Sequence, residues 1–305
     1  MNRSTRANEI APTPYDIPCV AACGLDVGES PIWSVAENCL YFVDIVEQKL
    51  LRYRPADRSL EVTQLAGMAT AVAPRQKGGL IFADERSFSR FDPATATRIP
   101  VVDIDGEPPT NRFNDGKIDR FGRFWAGTMD KERWGDPAGT LYRLDPDGSV
   151  YVVLTGIRCS NGLGWSPDNG TFYYTESFAY RIHAFDHDPQ TGTLSRQRIF
   201  AELDPDSGGF PDGLAVDAEG CVWSAQPGYG RLVRYAPDGS IERIVDMPVS
   251  RPTSCMFGDE DLGTLYVTTA HNSLTPRQRA EEPQAGGLFA FRPGVKGLPE
   301  TPFQG

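Results

Sequence analysis

Histidine is nearly missing from this chain, with three among 305 residues, which argues against a zinc centre built on imidazoles. Basic side chains are outnumbered, 30 Lys and Arg against 41 Asp and Glu, for a net charge of −11 and a pI near 4.8. Such a balance argues against nucleic acid or a membrane as partner, because both are held through basic patches. No apolar run is long enough to span a bilayer. Residues 1–14 are polar and lack the apolar centre of a secretory signal, so a cytoplasmic protein with a disordered tail over 1–15 is expected. No Gly-Lys-Ser/Thr phosphate loop and no Gly-x-Ser-x-Gly nucleophile elbow occurs. The six cysteines (Cys19, Cys23, Cys39, Cys159, Cys221 and Cys255) are scattered and read as free, buried small hydrophobes. Cys19 and Cys23 have no second pair at zinc-like spacing. Low-complexity segments are absent and Pro and Gly are spread through the chain, so residues 16–305 are expected to form one domain.

What the chain does have is a repeat. Glu29-Ser-Pro-Ile-Trp-Ser34, Asn114-Asp-Gly-Lys-Ile-Asp119, Asn161-Gly-Leu-Gly-Trp-Ser166, Asp212-Gly-Leu-Ala-Val-Asp217 and Thr253-Ser-Cys-Met-Phe-Gly258 share one template. Each opens on an oxygen-bearing side chain and closes on Ser, Asp or Gly before a turn. An aromatic or β-branched run then follows, such as Leu40-Tyr-Phe-Val43 or Val222-Trp-Ser224. A degenerate sixth copy runs through Ala71-Val-Ala73 and Leu80-Ile-Phe82, with Ala69 or Thr70 at the leading position. Successive starts lie about 40 to 50 residues apart, the spacing of an array with one small sheet per unit. Alternation of period two and Asp-Gly turns, as in Leu141-Tyr-Arg-Leu144, Asp147-Gly148 and Val150-Tyr-Val-Val153, read as strands. Helix is expected only around 275–282, where Pro276 suits a helix start. Six units of four antiparallel strands closing into a ring give an all-β, six-bladed β-propeller. The segment 17–27 precedes the first template and is the natural outer strand for the last blade.

Rotational repetition turns the template into chemistry. First strands line the central channel, so Glu29, Asn114, Asn161, Asp212 and Thr253 would converge at one mouth as a ring of hard oxygens. Any one of them alone reads as a turn former. Together they bring two carboxylates to a confined site, and a divalent cation offsets the repulsion. Oxygen ligation suits Ca, Mg or Mn without excluding softer first-row ions. His183 and His187 lie in an alternating segment that reads as an outer strand; His271 falls near the end of a second strand, where it could overlook the mouth.

Gly28-Glu-Ser-Pro-Ile-Trp33, Asn111-Arg-Phe-Asn-Asp-Gly-Lys117, Phe124-Trp-Ala-Gly-Thr-Met129, Ser160-Asn-Gly-Leu-Gly-Trp-Ser166, Pro211-Asp-Gly213 and Ala285-Gly-Gly-Leu-Phe289 resemble the signatures of the regucalcin, or senescence-marker-protein, and gluconolactonase family. The resemblance covers nearly the whole chain from about residue 16. It implies a six-bladed propeller with one divalent metal ion (Ca, Mg, Mn, Zn or Fe(II)) in the channel and hydrolysis of sugar lactones. Carried over by motif, the metal ligands fall on Glu29, Asn161 and Asp212. The substrate-binding residues fall on Arg112 and Asn114, with Glu132 beyond the Gly-Thr-Met motif. Arg112 offers a planar fork for lactone or carboxylate oxygens, and Asn114 can both donate and accept. Trp134 could shield a sugar face or pack on a neighbouring loop. In the expected mechanism the cation polarises the lactone carbonyl and Asp212 serves as general base.

Two other readings compete with a metal-dependent lactonase. A calcium-binding regulatory protein needs the ring but not Arg112, Asn114 and Glu132. A broader esterase or organophosphate hydrolase would use the same cation. The expected partner is a small-molecule sugar lactone.

Overall fold

The computed structural model describes residues 10–305; the tail expected over 1–15 falls, for its first nine residues, outside the described residues. The chain is already tied down just beyond them. The Thr13 amide donates to the Ile244 carbonyl (2.8 Å), and the Tyr15 ring lies 5.0 Å from that of Phe291.

Six four-stranded antiparallel sheets form the molecule. Blade 1 comprises Gly28–Ser34, Cys39–Asp44, Lys49–Arg54 and Ser59–Gln64. Blade 2 comprises Ala71–Pro74, Leu80–Ala83, Ser87–Asp92 and Thr97–Asp103, and blade 3 Asn111–Ile118, Phe124–Asp130, Gly139–Leu144 and Val150–Ile157. Blade 4 holds Ser160–Trp165, Thr171–Glu176, Arg181–Asp188 and Thr193–Glu202, and blade 5 Leu214–Val216, Val222–Gln226, Arg231–Tyr235 and Ile241–Asp246. Blade 6 is composite. Pro252–Gly258, Thr264–Thr269 and Leu288–Phe291 are completed by Cys19–Ala21, which pairs antiparallel with Leu288–Phe291. The early segment therefore supplies the outer strand of the last blade, as the sequence predicts. First strands of consecutive blades touch around the ring, blade 6 against blade 1 included. Trp33 of blade 1 stacks on Tyr266 of blade 6 across that closing seam, ring centroids 6.0 Å apart.

The aspartates that close the template are structural. Asp217, fully buried, accepts from the Trp223 indole (2.9 Å), Arg234 Nε (2.8 Å) and the Glu219 and Cys221 amides (both 3.0 Å). Asp119 does the same in blade 3 for the Trp125 indole and Arg123. Each carboxylate thus satisfies its turn and pins a fully buried tryptophan, which is why the position is acidic just before an aromatic run.

A single α-helix is found among the described residues, Pro276–Glu281, with Thr275 as N-cap in a reciprocal capping box with Gln278. Beyond Phe291 the chain crosses the face opposite the template starts. It bridges Asp217 at Gly297 and Arg75 at Phe303, then reaches the Gly122 carbonyl through the Gln304 amide. Residues 298–301 on the way line a cavity with Lys117, Gly164 and Val216, so this strap closes the far end of the channel. Nothing in the repeat predicts it. No described helix is long and apolar enough to cross a membrane.

Candidate metal and substrate site at the channel mouth

A local irregularity aims the template residues inward. In blade 1 Glu29 pairs with Val43 but Ile32 with Tyr41, so one extra residue is inserted. The same single-residue bulge occurs between Phe113 and Gly116, between Asn161 and Leu163, and between Pro252 and Ser254. A bulge bends the strand and re-aims a side chain without ending the ladder. It carries a backbone cost: Ser30 has φ 50° and Gly162 φ 20°. At Gly162 a Cβ would stand 2.5 Å from Thr175 Oγ1 and 2.7 Å from the Asp212 carbonyl, so only glycine lets blades 4 and 5 approach this closely. Asp212 sits just before the short first strand of blade 5, its amide donating to Ala225 (2.9 Å) and the next amide, Gly213, to Thr253 (2.8 Å).

Four of the candidates meet in one buried constellation. Glu29, Asn114, Asn161 and Asp212 are all less than a tenth exposed. Asn114 Nδ2 donates to Asn161 Oδ1 (2.8 Å) and to the Ser160 carbonyl (2.8 Å). Arg112 Nη1 donates to Asn114 Oδ1 and to the Phe113 carbonyl, both at 2.7 Å. Asn161 Nδ2 is fixed by Ser177 Oγ (2.8 Å), which itself donates to the Pro211 carbonyl (2.7 Å). Glu29 accepts one bond, from the Ser30 amide (2.9 Å), and Asp212 Oδ1 is buried with no partner at all.

The charges do not balance. Burial pushes the Glu29 carboxyl well above its usual range, and the nearby Asp212 and Asp115 push it further. Burial and Asp115 do the same to Asp212, against the opposing pull of Arg251. Asp115, on the wall of the narrow channel with Ser30, Leu214 and Ser254, is pushed up to about 6 by burial. Burial lowers the Arg112 guanidinium. Neither Arg112 nor Arg251 has an ion pair among the described residues. Excess negative charge, a free carboxylate oxygen and a neighbouring amide oxygen together fit an oxygen-ligated divalent cation. Among the described residues no three His, Cys, Asp or Glu side chains form a ready metal cluster, so a site here needs the Asn161 amide beside Glu29 and Asp212.

Other candidates lie elsewhere. The Thr253 hydroxyl is occupied by the Gly28 carbonyl and by Thr268 Oγ1 (2.9 Å), and Thr70 bonds the Ala83 carbonyl (3.2 Å), so both serve the ring's frame. Glu132 is exposed, in a loop whose Glu132 and Arg133 amides are capped by Asp130 Oδ1 (both 2.9 Å), and no contact joins its carboxylate to the buried set. The Trp134 indole donates to the Lys131 carbonyl (2.9 Å), and its ring packs on Phe178, which in turn packs on Phe210. His183 faces Glu176 (3.5 Å) and His187 the Asn169 carbonyl (2.8 Å), both on the third strand of blade 4. His271 lies 3.4 Å from Asp26, beside the mouth-side end of blade 6. All six cysteines are free. Sequence reasoning missed Ser177, which orients Asn161, and Arg251, whose place two residues ahead of Thr253 is a readable signal.

A closed ring of six four-stranded sheets with an under-compensated acidic cluster and an arginine–asparagine pair at one mouth defines a class: a six-bladed β-propeller with a polar, acidic channel mouth. The model of the SMP-30/Gluconolactonase/LRE-like region matches residues 27–271, and the chain belongs to that family. Regucalcin of Danio rerio is 38% identical over 292 residues, covering 95% of this chain and 98% of its own. Among solved structures, a calcium-binding protein, regucalcin, from Agrobacterium tumefaciens superposes with a TM-score of 0.88 at 27% identity, over 94% of this chain and 96% of that one. A luciferin-regenerating enzyme gives 0.87 at 28% identity, over 95% and 99%.

Proposed function

We propose that this chain is a divalent-metal-dependent hydrolase of sugar lactones. The observation that carries the reading is the unpartnered, buried Asp212 Oδ1 beside Glu29 and Asn161, with Arg112 and Asn114 hydrogen-bonded to the same cluster. Membership of a family named in part for gluconolactonase supports it. The description of the Agrobacterium relative as calcium-binding supports the cation. Glu29, Asn161 and Asp212 would hold the metal, which when bound supplies Lewis-acid polarisation of an acyl oxygen and acidifies water.

The chain's own residues do the rest. Arg112, fixed by its bonds to Asn114 and Phe113, presents its remaining donors to lactone oxygens, and Asn114 sets the height of the ring in the mouth. Asp212 accepts a proton from the water that adds to the acyl carbon. As the acyl C–O bond breaks, that proton passes to the ring oxygen, which leaves as a hydroxyl of the sugar acid. Burial excludes bulk water and strengthens each of these interactions. Glu132, on the loop above, is assigned a rim contact with a sugar hydroxyl.

A calcium-binding role without turnover is the second reading, favoured by the regucalcin relatives. Arg112 and Asn114 tip the balance toward catalysis, because a cation store needs no organic-ligand donors. Proton release on adding aldonolactones, with and without chelator, separates the two. Chelator-sensitive acidification is expected. Tight cation binding with no lactone hydrolysis across a panel of aldonolactones would overturn the hydrolase reading.

A further inference from the structure

The polar ring has a second layer above it, set by the same repetition. Each ring position lies at the entry of a first strand, so the residue two places ahead of it lies toward the mouth, before the strand or among its first residues. Around the ring these are Val27, Met68, Arg112, Cys159, Phe210 and Arg251. Contacts bear out the stacking in two blades. Arg112 reaches Asn114 at 2.7 Å, and Cys159 Sγ lies 3.6 Å from Asn161 Nδ2. Four members of this layer are apolar or a thiol, and the two that are charged are both arginines. They belong to blades 3 and 6, three apart in a ring of six, and so occupy opposite walls.

Arg251 stands out for what it does not bond. Its Nε is buried without a partner, and no carboxylate among the described residues lies within ion-pair distance. Its own backbone carbonyl is committed to the Ala270 amide, which holds the residue in place. Its charge acts on Asp212 as that of Arg112 acts on Glu29, so the two guanidiniums reach the same acidic cluster from blades 6 and 3. Arg251 is only half-buried, so its terminal nitrogens, which make no ion pair among the described residues, stay open to an acceptor that a ligand could supply.

We propose that Arg251 is a substrate-anchoring residue that binds the carboxylate end of the sugar acid, opposite Arg112. The inference rests on the lactonase reading for the identity of that acid. Before ring opening the same end of the ligand is a neutral ester, which offers a weaker acceptor. Once water has added and the C–O bond has broken, it is a carboxylate, which adds opposite charge and can accept two parallel bonds from one guanidinium. Arg251 is therefore expected to favour the product over the lactone, and to set product inhibition more than KM.

The test uses the full, cation-loaded chain and its Arg251→Ala and Arg251→Lys variants. D-gluconate, D-xylonate and L-arabinonate are titrated by calorimetry, and inhibition by the tightest of them is measured against its own lactone. Arg251→Ala is expected to weaken aldonate binding by about 10- to 100-fold, from the worth of a charged hydrogen bond, with KM for the neutral lactone changing by less than about three-fold. Arg251→Lys should recover part of the loss, and melting temperature and cation content should match wild type. Unchanged aldonate affinity in Arg251→Ala, or equal losses for lactone and aldonate, would overturn the proposal, as would failure of wild type to bind any of the three acids. Wild type that binds an aldonate yet hydrolyses no lactone would sink the lactonase reading instead, leaving Arg251 to be decided by the titration alone.

Discussion

Asp212→Asn is expected to change stability in opposite directions with and without the cation. In the cation-free protein Asp212 is a burden: its Oδ1 has no partner, and Asp115 repels its ionised form. A buried group left unpaired costs about 1–3 kcal/mol, more when it is charged; asparagine still leaves a buried polar atom there but cannot ionise, so the gain expected is the difference made by the charge, on the order of 1–3 kcal/mol. A gain of that size corresponds to about 2 to 5 °C in melting temperature for a chain of this length. The gain should grow with pH. A carboxyl raised in the folded state binds more protons there than when unfolded. The stability of the cation-free wild type therefore falls as pH rises above the unfolded value near 4 toward the raised folded one, and asparagine removes the share of that slope that Asp212 contributes, leaving those of Glu29 and Asp115. With cation at about 100 times its Kd, wild type gains about 2.7 kcal/mol, which the variant forfeits with its ligand. Thermal melts at pH 6 and 8, with chelator and with saturating calcium or manganese, read all four combinations. A variant less stable than wild type in chelator, or one still stabilised by the cation to the same extent, would refute the reasoning.

Gly162→Ala should leave the propeller folded but displace Asn161, because the added methyl meets Thr175 and Asp212 backbone or side-chain oxygens at 2.5 and 2.7 Å. About ten-fold weaker cation binding by calorimetry is expected, and unchanged affinity would show that the bulge does not position the ligand. Cation loading should release protons, since burial raises Glu29, Asp212 and Asp115 before binding. Titrations in buffers of different ionisation enthalpy measure this, and no proton release on binding would contradict it. Asp217→Ala, far from the mouth, leaves Arg234 and the Trp223 indole without their buried acceptor. A loss of about 3–5 kcal/mol in denaturant melts is expected with lactone KM unchanged, and a selective change in KM would reverse the structural assignment.

The ring of blades was legible because each unit repeats the same polar start, turn aspartate and aromatic run, and the closing strand followed from chain left over before the first template. The terminal strap was not, since it repeats nothing and makes single bridges at Gly297 and Phe303 where strands make ladders. Within the site, Glu29, Asn114, Asn161 and Asp212 could be placed by template position alone. Thr253 shared that position, yet its hydroxyl is spent on the Gly28 carbonyl and on Thr268, a contact between blades that no single template contains. The inserted bulge residues escaped for a related reason: a bulge is a mismatch between two strands, and only the pairing partner reveals it. Glu132 was reached through the family motif and not the repeat, and it lies exposed on a loop that no repeat constrains.

The central claim is that rotational repetition gathers Glu29, Asn161 and Asp212 into one cation site. Anomalous scattering from a crystal grown with manganese tests it most directly. A single strong peak within bonding distance of Glu29, Asn161 Oδ1 and Asp212 Oδ1 is the predicted result. A loaded crystal with no peak there, or with its only peak elsewhere on the molecule, would contradict the account.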